Sequence, residues 1–365
     1  MAAQGENLIK LHIGDTYLPP QFDLPISSSE LGEMPAYNRY CNTFGLDSLR
    51  TVLAEKLKSD NDLQVVVDNI LMTCGATNAL SISMMSLIES GDEVLILTPA
   101  WPFFFGMVTV AGGKTIEVPF YTRLFHEPDL QIQDYLEQFL SKKTAAIYVN
   151  TPNNPSGKVL NRKQLLAIAD FAKSHRLWII SDEAYDGLTF DDCPHVSVAS
   201  FPGMFEQTIT IFTFSKSFMF AGLRLGYAVA DISVIQNLNK MMVHQLYSPS
   251  TLAQKMMIEP VKTRERWQPD VREHYQNLRD LFVQQLKIDF PKPEGTYFIF
   301  FSAEKYLHNM DFEQLIEICL DSGVSVAPGD SFGKDFQTYI RLCFTGEPAE
   351  RLKLGIERLN SIFAA

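Results

Sequence analysis

The sequence predicts an α/β protein: a large three-layer α/β/α unit around a mostly parallel sheet, with a smaller α+β unit beside it. Three observations carry this expectation. Between about residues 37 and 260, short apolar runs rich in β-branched residues alternate with stretches of helical periodicity. That alternation implies a mostly parallel sheet with helices on both faces. Five of the apolar runs end in Gly, Pro, Asn, Asp or Lys segments, and after Pro260 the texture changes to long charged helical stretches with isolated strands.

Residues 1 to about 36 read as an extended arm, punctuated by Pro19, Pro20, Pro25 and Pro35. Leu46, Leu49, Leu53 and Leu57 then share one side of a helix. A strand at 69–74 runs into Gly75-Ala76-Thr77, which opens a helix from Ala76 to about Ile88, closed by Gly91. The strand at 94–97 leads to Thr98-Pro99-Ala100-Trp101, and that at 145–149 to Asn150-Thr151-Pro152-Asn153-Asn154-Pro155-Ser156-Gly157. Leu165, Ile168, Ala169 and Ala172 mark another helix, and the strand at 177–181 leads to Asp182-Glu183-Ala184-Tyr185. The last strand of this series, 208–212, leads to Thr213-Phe214-Ser215-Lys216-Ser217. Beyond Pro260 the expectation is a charged helix over 264–287, a strand at 296–301, a helix near 312–320, a strand at 339–344 and a final helix to Phe363. The division expected is a large unit over 37–260 and a small one from 1–36 together with 261–365.

At 365 residues, with 46% hydrophobic and 20% charged residues, the chain has ordinary globular composition. Its net charge of −12 and lack of a basic stripe argue against nucleic acid as a partner. Five scattered cysteines show no C-x-x-C spacing, so neither a disulfide framework nor a zinc site is expected, and a reducing cytoplasm fits. The seven histidines show no metal-ligand spacing, and no metal is expected. The start lacks the apolar core of a signal peptide, and no apolar stretch reaches the roughly 20 residues of a membrane helix.

The chemistry concentrates around Lys216. Hydroxyls flank it at Thr213, Ser215 and Ser217, and Arg224 follows between Gly222 and Gly226. A lysine that forms a Schiff base needs a partly desolvated setting, and the hydroxyls with Arg224 suit a nearby phosphate. The helix start at Gly75, Ala76 and Thr77 offers free N–H groups and a positive dipole end to the same phosphate, unless it is a plain helix start. Ligands of open α/β sheets bind at the carboxyl ends of strands, so all five strand ends can meet in one crevice. The run through Lys216, with the Asp182-x-Ala184-Tyr185 and Asn154-Pro155-Ser156-Gly157 segments, resembles the class I/II aminotransferases, the fold type I enzymes that use pyridoxal 5'-phosphate. The resemblance covers essentially the whole chain. Thr213 stands where serine or glycine is usual and Met219 where a smaller residue is common; threonine keeps the hydroxyl.

This resemblance implies roles for the site residues. Lys216 holds the cofactor as a Schiff base and then moves protons as base and acid. Asp182 faces the ring nitrogen, although an Asp after a strand can also cap a helix or turn. Tyr185 and Asn154 bond the phenolic oxygen. Gly75, Ala76, Thr77, Thr213, Ser215 and Arg224 cradle the phosphate. Trp101 stacks on the ring or is a core tryptophan. Tyr40, five residues before Gly45, reaches the phosphate of a neighbouring subunit, so the active form is a homodimer. Arg341 takes the substrate α-carboxylate as a bidentate pair, if it does not snorkel to solvent. Gly14 allows a close backbone approach on the substrate's other side, and Trp101 and Asn154 also border the substrate.

The function expected is therefore a cytoplasmic aminotransferase acting on an α-amino acid and a 2-oxo acid. The rivals are a same-fold lyase, decarboxylase or amino-acid oxidase, and a sensor domain of a regulator; for the last, the family-like sequence starts too early to leave room for a DNA-binding module. His244 stands, in a loosely aligned loop, where some relatives bring a second arginine from the partner. With no second arginine evident, and Phe103-Phe104-Phe105 near the pocket or in the core, a neutral, large or aromatic donor is expected over aspartate.

Overall fold

The computed structural model describes residues 8–23 and 38–364. A short strand in the arm, β1 (Ile9–Lys10), precedes seven strands that form the central sheet. These are β2 (Ile70–Thr73), β3 (Glu93–Thr98), β4 (Lys114–Pro119), β5 (Thr144–Asn150), β6 (Trp178–Asp182), β7 (Thr208–Thr213) and β8 (Gly226–Val229). Their spatial order is β2-β8-β7-β6-β5-β3-β4. Every pairing is parallel except the two made by β8, which runs antiparallel to β2 and β7.

Both faces of the sheet are covered, as the unbroken apolar runs require. Successive side chains of a strand point to opposite faces, and β5 shows the consequence. Its Ile147 and Val149 pack with Leu165, Ile168 and Ala172 on one face, while Ala146 and Tyr148 pack with Leu80, Phe104 and Leu238 on the other. The helix Arg162–His175 starts at a reciprocal cap in which Asn161 and Gln164 bond each other's backbone N–H at 2.9 and 3.0 Å. Four later strands, β9 (Phe298–Ser302), β10 (Val324–Ser325), β11 (Ala327–Pro328) and β12 (Tyr339–Cys343), complete the set. β9, β12 and β11 form an antiparallel sheet, and β1 pairs in parallel with β10. The arm continues between these strands: Cys343 N donates to Leu11 O at 2.7 Å and Tyr17 N to Thr345 O at 2.9 Å.

Most expected elements are present within a residue or two, including the helices Asp47–Asp60, Gly75–Leu87, Arg264–Gln285, Phe312–Asp321 and Ala349–Phe363. Two details differ. Ile88 is already extended, so Gly91, at φ +92°, serves the following turn rather than closing the helix. The strands β4 and β8 and the helix Ile232–Gln245 were not singled out from sequence; β8 has four residues, and β4 carries charged residues at an edge. Pro25, Pro35 and the expected boundary at residue 37 lie outside the described residues. Among the described residues no helix is long and apolar enough to cross a membrane.

The antiparallel turn of β8 matters most for the site. The chain leaves β7 at Thr213, forms the loop 214–225, and returns at Gly226, which pairs with both Thr213 and Thr73. A Cβ on Gly226 would lie 2.7 Å from Phe212 O, and 2.8 Å from both Ala76 N and Gly75 C. All three are backbone atoms, so glycine is what lets the helix start at Gly75 sit directly against the loop that carries Lys216 and Arg224. We expect Gly226→Ala to lower unfolding free energy by about 1–3 kcal/mol, the usual cost of forcing extra volume into a packed site. Urea unfolding with an unchanged midpoint would show that this contact is not tight.

Candidate active site

A cavity of about 700 Å³ opens at the carboxyl ends of β2, β3, β5, β6 and β7 and is closed on its other side by β9, β11, β12 and the arm. Twelve of the sequence-predicted residues border it: Gly14, Ala76, Thr77 and Trp101; Asn154, Asp182, Tyr185 and Thr213; Ser215, Lys216, Arg224 and Arg341. Gly75 sits immediately behind, at φ +77°, and a Cβ there would lie 3.0 Å from Arg224 Nη2. Tyr40 and His244 do not border the cavity of their own chain. Tyr40 is 82% exposed and packs edge-on against Tyr247, with ring centroids 5.0 Å apart; His244 is exposed near the end of the helix Ile232–Gln245.

Register places the polar groups side by side. Asn150 pairs with Asp182, and Asp182 with Ile211, two residues before the end of β7. Asp182 is 5% exposed and accepts from Tyr148 Oη at 2.6 Å and Ala184 N at 3.2 Å. Burial pushes its carboxyl up to about 6, against the opposing pull of the Tyr148 hydrogen bond. Asn150 organises the neighbouring loop, donating from Nδ2 to Asp182 O at 2.9 Å and accepting from Asn154 N at 2.8 Å.

Lys216 Nζ donates to Gly14 O at 2.6 Å and lies 5.7 and 5.5 Å from the ring centroids of Tyr185 and Tyr297. Burial holds its pKa below the ordinary lysine value, with nearby Asp15 acting in the opposite sense. Tyr185 is buried, which pushes its hydroxyl well above the usual phenol range, while Arg341 pulls it back. The Lys216 loop is held by Thr213, whose hydroxyl accepts from Ser215 N at 3.1 Å and bonds Ser215 Oγ at 3.0 Å. Met219, the unusual residue of this loop, is buried at φ +54°, a left-handed conformation rare for a side chain of its size.

Arg341, on β12, does not snorkel to solvent. Its guanidinium carbon lies 4.3 Å from the Phe298 ring centroid and 5.0 Å from that of Phe332. Nη1 donates to Asn154 Oδ1 at 3.1 Å and Nη2 to His12 O at 2.7 Å, while Nε is buried without a partner. Gly14 is closely approached, since a Cβ there would lie 2.8 Å from Phe298 Cζ. Of the phenylalanine run, Phe104 is core, stacked on Tyr148 at 3.8 Å, whereas Phe103 is 68% exposed at the cavity mouth. Sequence reasoning missed Tyr148, Asn150, Tyr297, Phe298 and Phe332. Asn150 alone left a signal, as the polar end of an apolar strand.

The donor set suits a ligand with a phosphate at one end and a cationic ring nitrogen at the other. Arg224 and the helix start suit the first, the buried carboxylate of Asp182 suits the second, and Arg341 borders the same cavity as a further cation. A half-buried amine with a lowered pKa among such groups suits amino-group chemistry. The chain belongs to the family described as aminotransferase class I and II, whose model matches residues 6–359. It is thus an aminotransferase with the fold type I architecture, from a family that is generally dependent on pyridoxal phosphate. It is 34% identical to an aspartate aminotransferase of Pyrococcus abyssi, over 99% of this chain and 93% of the relative. It is 33% identical to aromatic-amino-acid aminotransferase 2 of Thermococcus litoralis, with the same coverage of each. The crystal structure of an aromatic aminotransferase from Pyrococcus horikoshii OT3 superposes with a TM-score of 0.88 at 33% identity, covering 98% of this chain and 96% of that one.

Asp182 gives a pH-dependent prediction. Its folded pKa of about 6 lies above the ordinary 3.8, so its stabilising share is full below 3.8 and is lost as pH rises through about 6. In cofactor-free protein, Asp182→Asn should therefore gain about 1–2 kcal/mol on wild type between pH 5 and pH 7.5. Parallel stability curves from denaturant titrations would show that Asp182 ionises without penalty.

Proposed function

We propose that the protein transfers an amino group from a neutral, large or aromatic α-amino acid to a 2-oxo acid, with Lys216 as the amine that holds pyridoxal 5'-phosphate and moves the proton. The observation that carries this reading is the single cavity shared by Lys216, Asp182 and Arg341. Pyridoxal phosphate, when bound, supplies an electron sink that makes the Cα proton of an amino acid removable. Arg224, Thr213, Ser215 and the N–H groups of Gly75, Ala76 and Thr77 would hold its phosphate. Asp182 would pair with its ring nitrogen, Tyr185 and Asn154 would donate to its phenolic oxygen, and Trp101 would cover its ring.

Lys216 Nζ, with its pKa lowered by burial, is suited to take the Cα proton as a free amine and later to return it. The Gly14 carbonyl accepts from that amine when it is protonated. Arg341, which borders the cavity with its guanidinium carbon near the Phe298 and Phe332 rings, would take the substrate α-carboxylate. Lys216, Arg224 and Arg341 are the cations bordering the cavity among the described residues, so a side-chain carboxylate meets no dedicated partner there. Trp101, Phe103 and Phe332 supply apolar surface instead.

A homodimer belongs to the same proposal. Tyr40 and Tyr247 expose aromatic surface outside their own cavity, and Tyr40 would serve the partner's phosphate, with His244 at the partner's substrate side. The arm and residues 261–365 would form a small domain beside a cofactor-binding domain over 37–260, supported by the β1–β10 pairing. Five unbridged cysteines fit a cytoplasmic setting.

Borohydride reduction of the loaded protein should leave the cofactor on the peptide containing Lys216; label on another lysine rejects the assignment. In a panel of aspartate, glutamate, phenylalanine, methionine and arginine under one acceptor, phenylalanine or methionine should exceed aspartate in kcat/KM by at least about tenfold. Preference for aspartate would overturn the substrate class.

A further inference from the structure

We infer that Tyr297 is a positioning residue for Lys216, fixing the lysine's main chain to the stretch of the arm that also holds its side chain. The inference rests on the reading of Lys216 as the proton-transferring amine. Tyr297 precedes β9 and is fully buried. Its hydroxyl donates to Lys216 O at 2.9 Å, and the same carbonyl accepts from Met219 N at 2.9 Å. A carbonyl oxygen has two lone pairs. With both engaged, the peptide plane that follows Lys216 has one orientation, inside a loop whose regular structure among the described residues is the short 3-10 helix Ala221–Leu223. That loop also contains the left-handed Met219, and such conformations persist only where the surroundings over-determine them.

The hydroxyl is not needed to fill space. The ring meets Tyr275, Tyr185 and Phe298 at centroid distances of 5.3, 5.5 and 6.2 Å, and phenylalanine would make the same contacts. A buried hydroxyl among aromatic rings costs free energy unless it is bonded, and this one donates to Lys216 O. Tyr275 carries the link onward. It packs edge-on against Tyr297, and its hydroxyl lies 2.6 Å from Thr16 Oγ1. Two residues away in the arm, Gly14 O accepts from Lys216 Nζ at 2.6 Å. Lys216 is thus held to the arm directly at its tip, and at its root through Tyr297 and the Tyr275 it packs against.

A lysine that hands a proton to and from carbon works at a reach of about 3–3.5 Å, and small displacements of its root are costly in rate. Substrate binding at Arg341 does not involve Tyr297, so loss of the hydroxyl should act on the proton step and not on affinity. Tyr297→Phe is expected to lower kcat about tenfold, leave KM within about twofold, and raise the kinetic isotope effect on kcat. The isotope effect is measured with the fastest donor of the panel above (phenylalanine on our reading) carrying deuterium at Cα. Tyr275→Phe should act in the same direction but less, and it serves as the second variant should Tyr297→Phe fold poorly.

Both variants and wild type are first reduced with borohydride and mapped. Label on Lys216 with a lower kcat and a larger isotope effect supports the inference. Label on Lys216 with an unchanged isotope effect, whatever happens to kcat or thermal stability, overturns the positioning role and leaves the lysine assignment standing. Label elsewhere in wild type overturns the lysine assignment and this inference with it.

Discussion

The structure turns on one constraint: the buried Asp182 and Arg341 and the half-buried Lys216 border one cavity with incomplete sets of partners. Each would be costly alone, since burial of a charge is repaid only by pairing or hydrogen bonding. Lys216 has one backbone carbonyl, Asp182 has a phenol and an amide, and Arg341 keeps an orphaned Nε. On the proposed reading, each of these deficits would be met by a group that an amino acid and its cofactor bring. Bringing these charged groups to one cavity is what the surrounding fold achieves.

Two features of the fold hold it. Parallel strands place Asn150 and Asp182 side by side, and the start of the Lys216 loop just beyond, at the carboxyl ends of three central strands. The antiparallel strand β8 then brings the chain straight back, so the lysine loop is closed by the Thr213–Gly226 pair and lies against the helix start at Gly75. The other wall comes from the chain ends. β12 supplies Arg341, β9 begins with the Phe298 that lies under it, and the arm supplies Gly14. Residues 200 positions apart or more meet because β1, β10, β12 and the arm share backbone hydrogen bonds.

The sequence was informative where chemistry interrupts periodicity. The apolar runs before Asp182 and Lys216 mark strands, and the polar residues that follow them border the cavity, as the sequence led us to expect. Arg341 could be read either way from sequence, because a strand arginine reaches solvent as easily as a cavity; the flanking Phe298 and Phe332 rings decide it, and they come from other segments. Tyr148 and Tyr297 were invisible because a tyrosine within an apolar run reads as core, and its hydroxyl partner lies 34 and 81 positions away. The two-residue strands β1 and β10 were invisible for a different reason: so short a pairing exists only because both segments are held in place by neighbours.

The most direct test measures stability against pH with and without cofactor. Bound ligand adds RT ln(1 + [L]/Kd), about 2.7 kcal/mol at a hundredfold excess over Kd. If the cavity's buried charges are complemented by pyridoxal phosphate, the stability lost as Asp182 ionises through about pH 6 should vanish in the loaded protein while remaining in the cofactor-free one. An equal loss with pH in both forms, or no stabilisation by the cofactor at any concentration, would contradict the account.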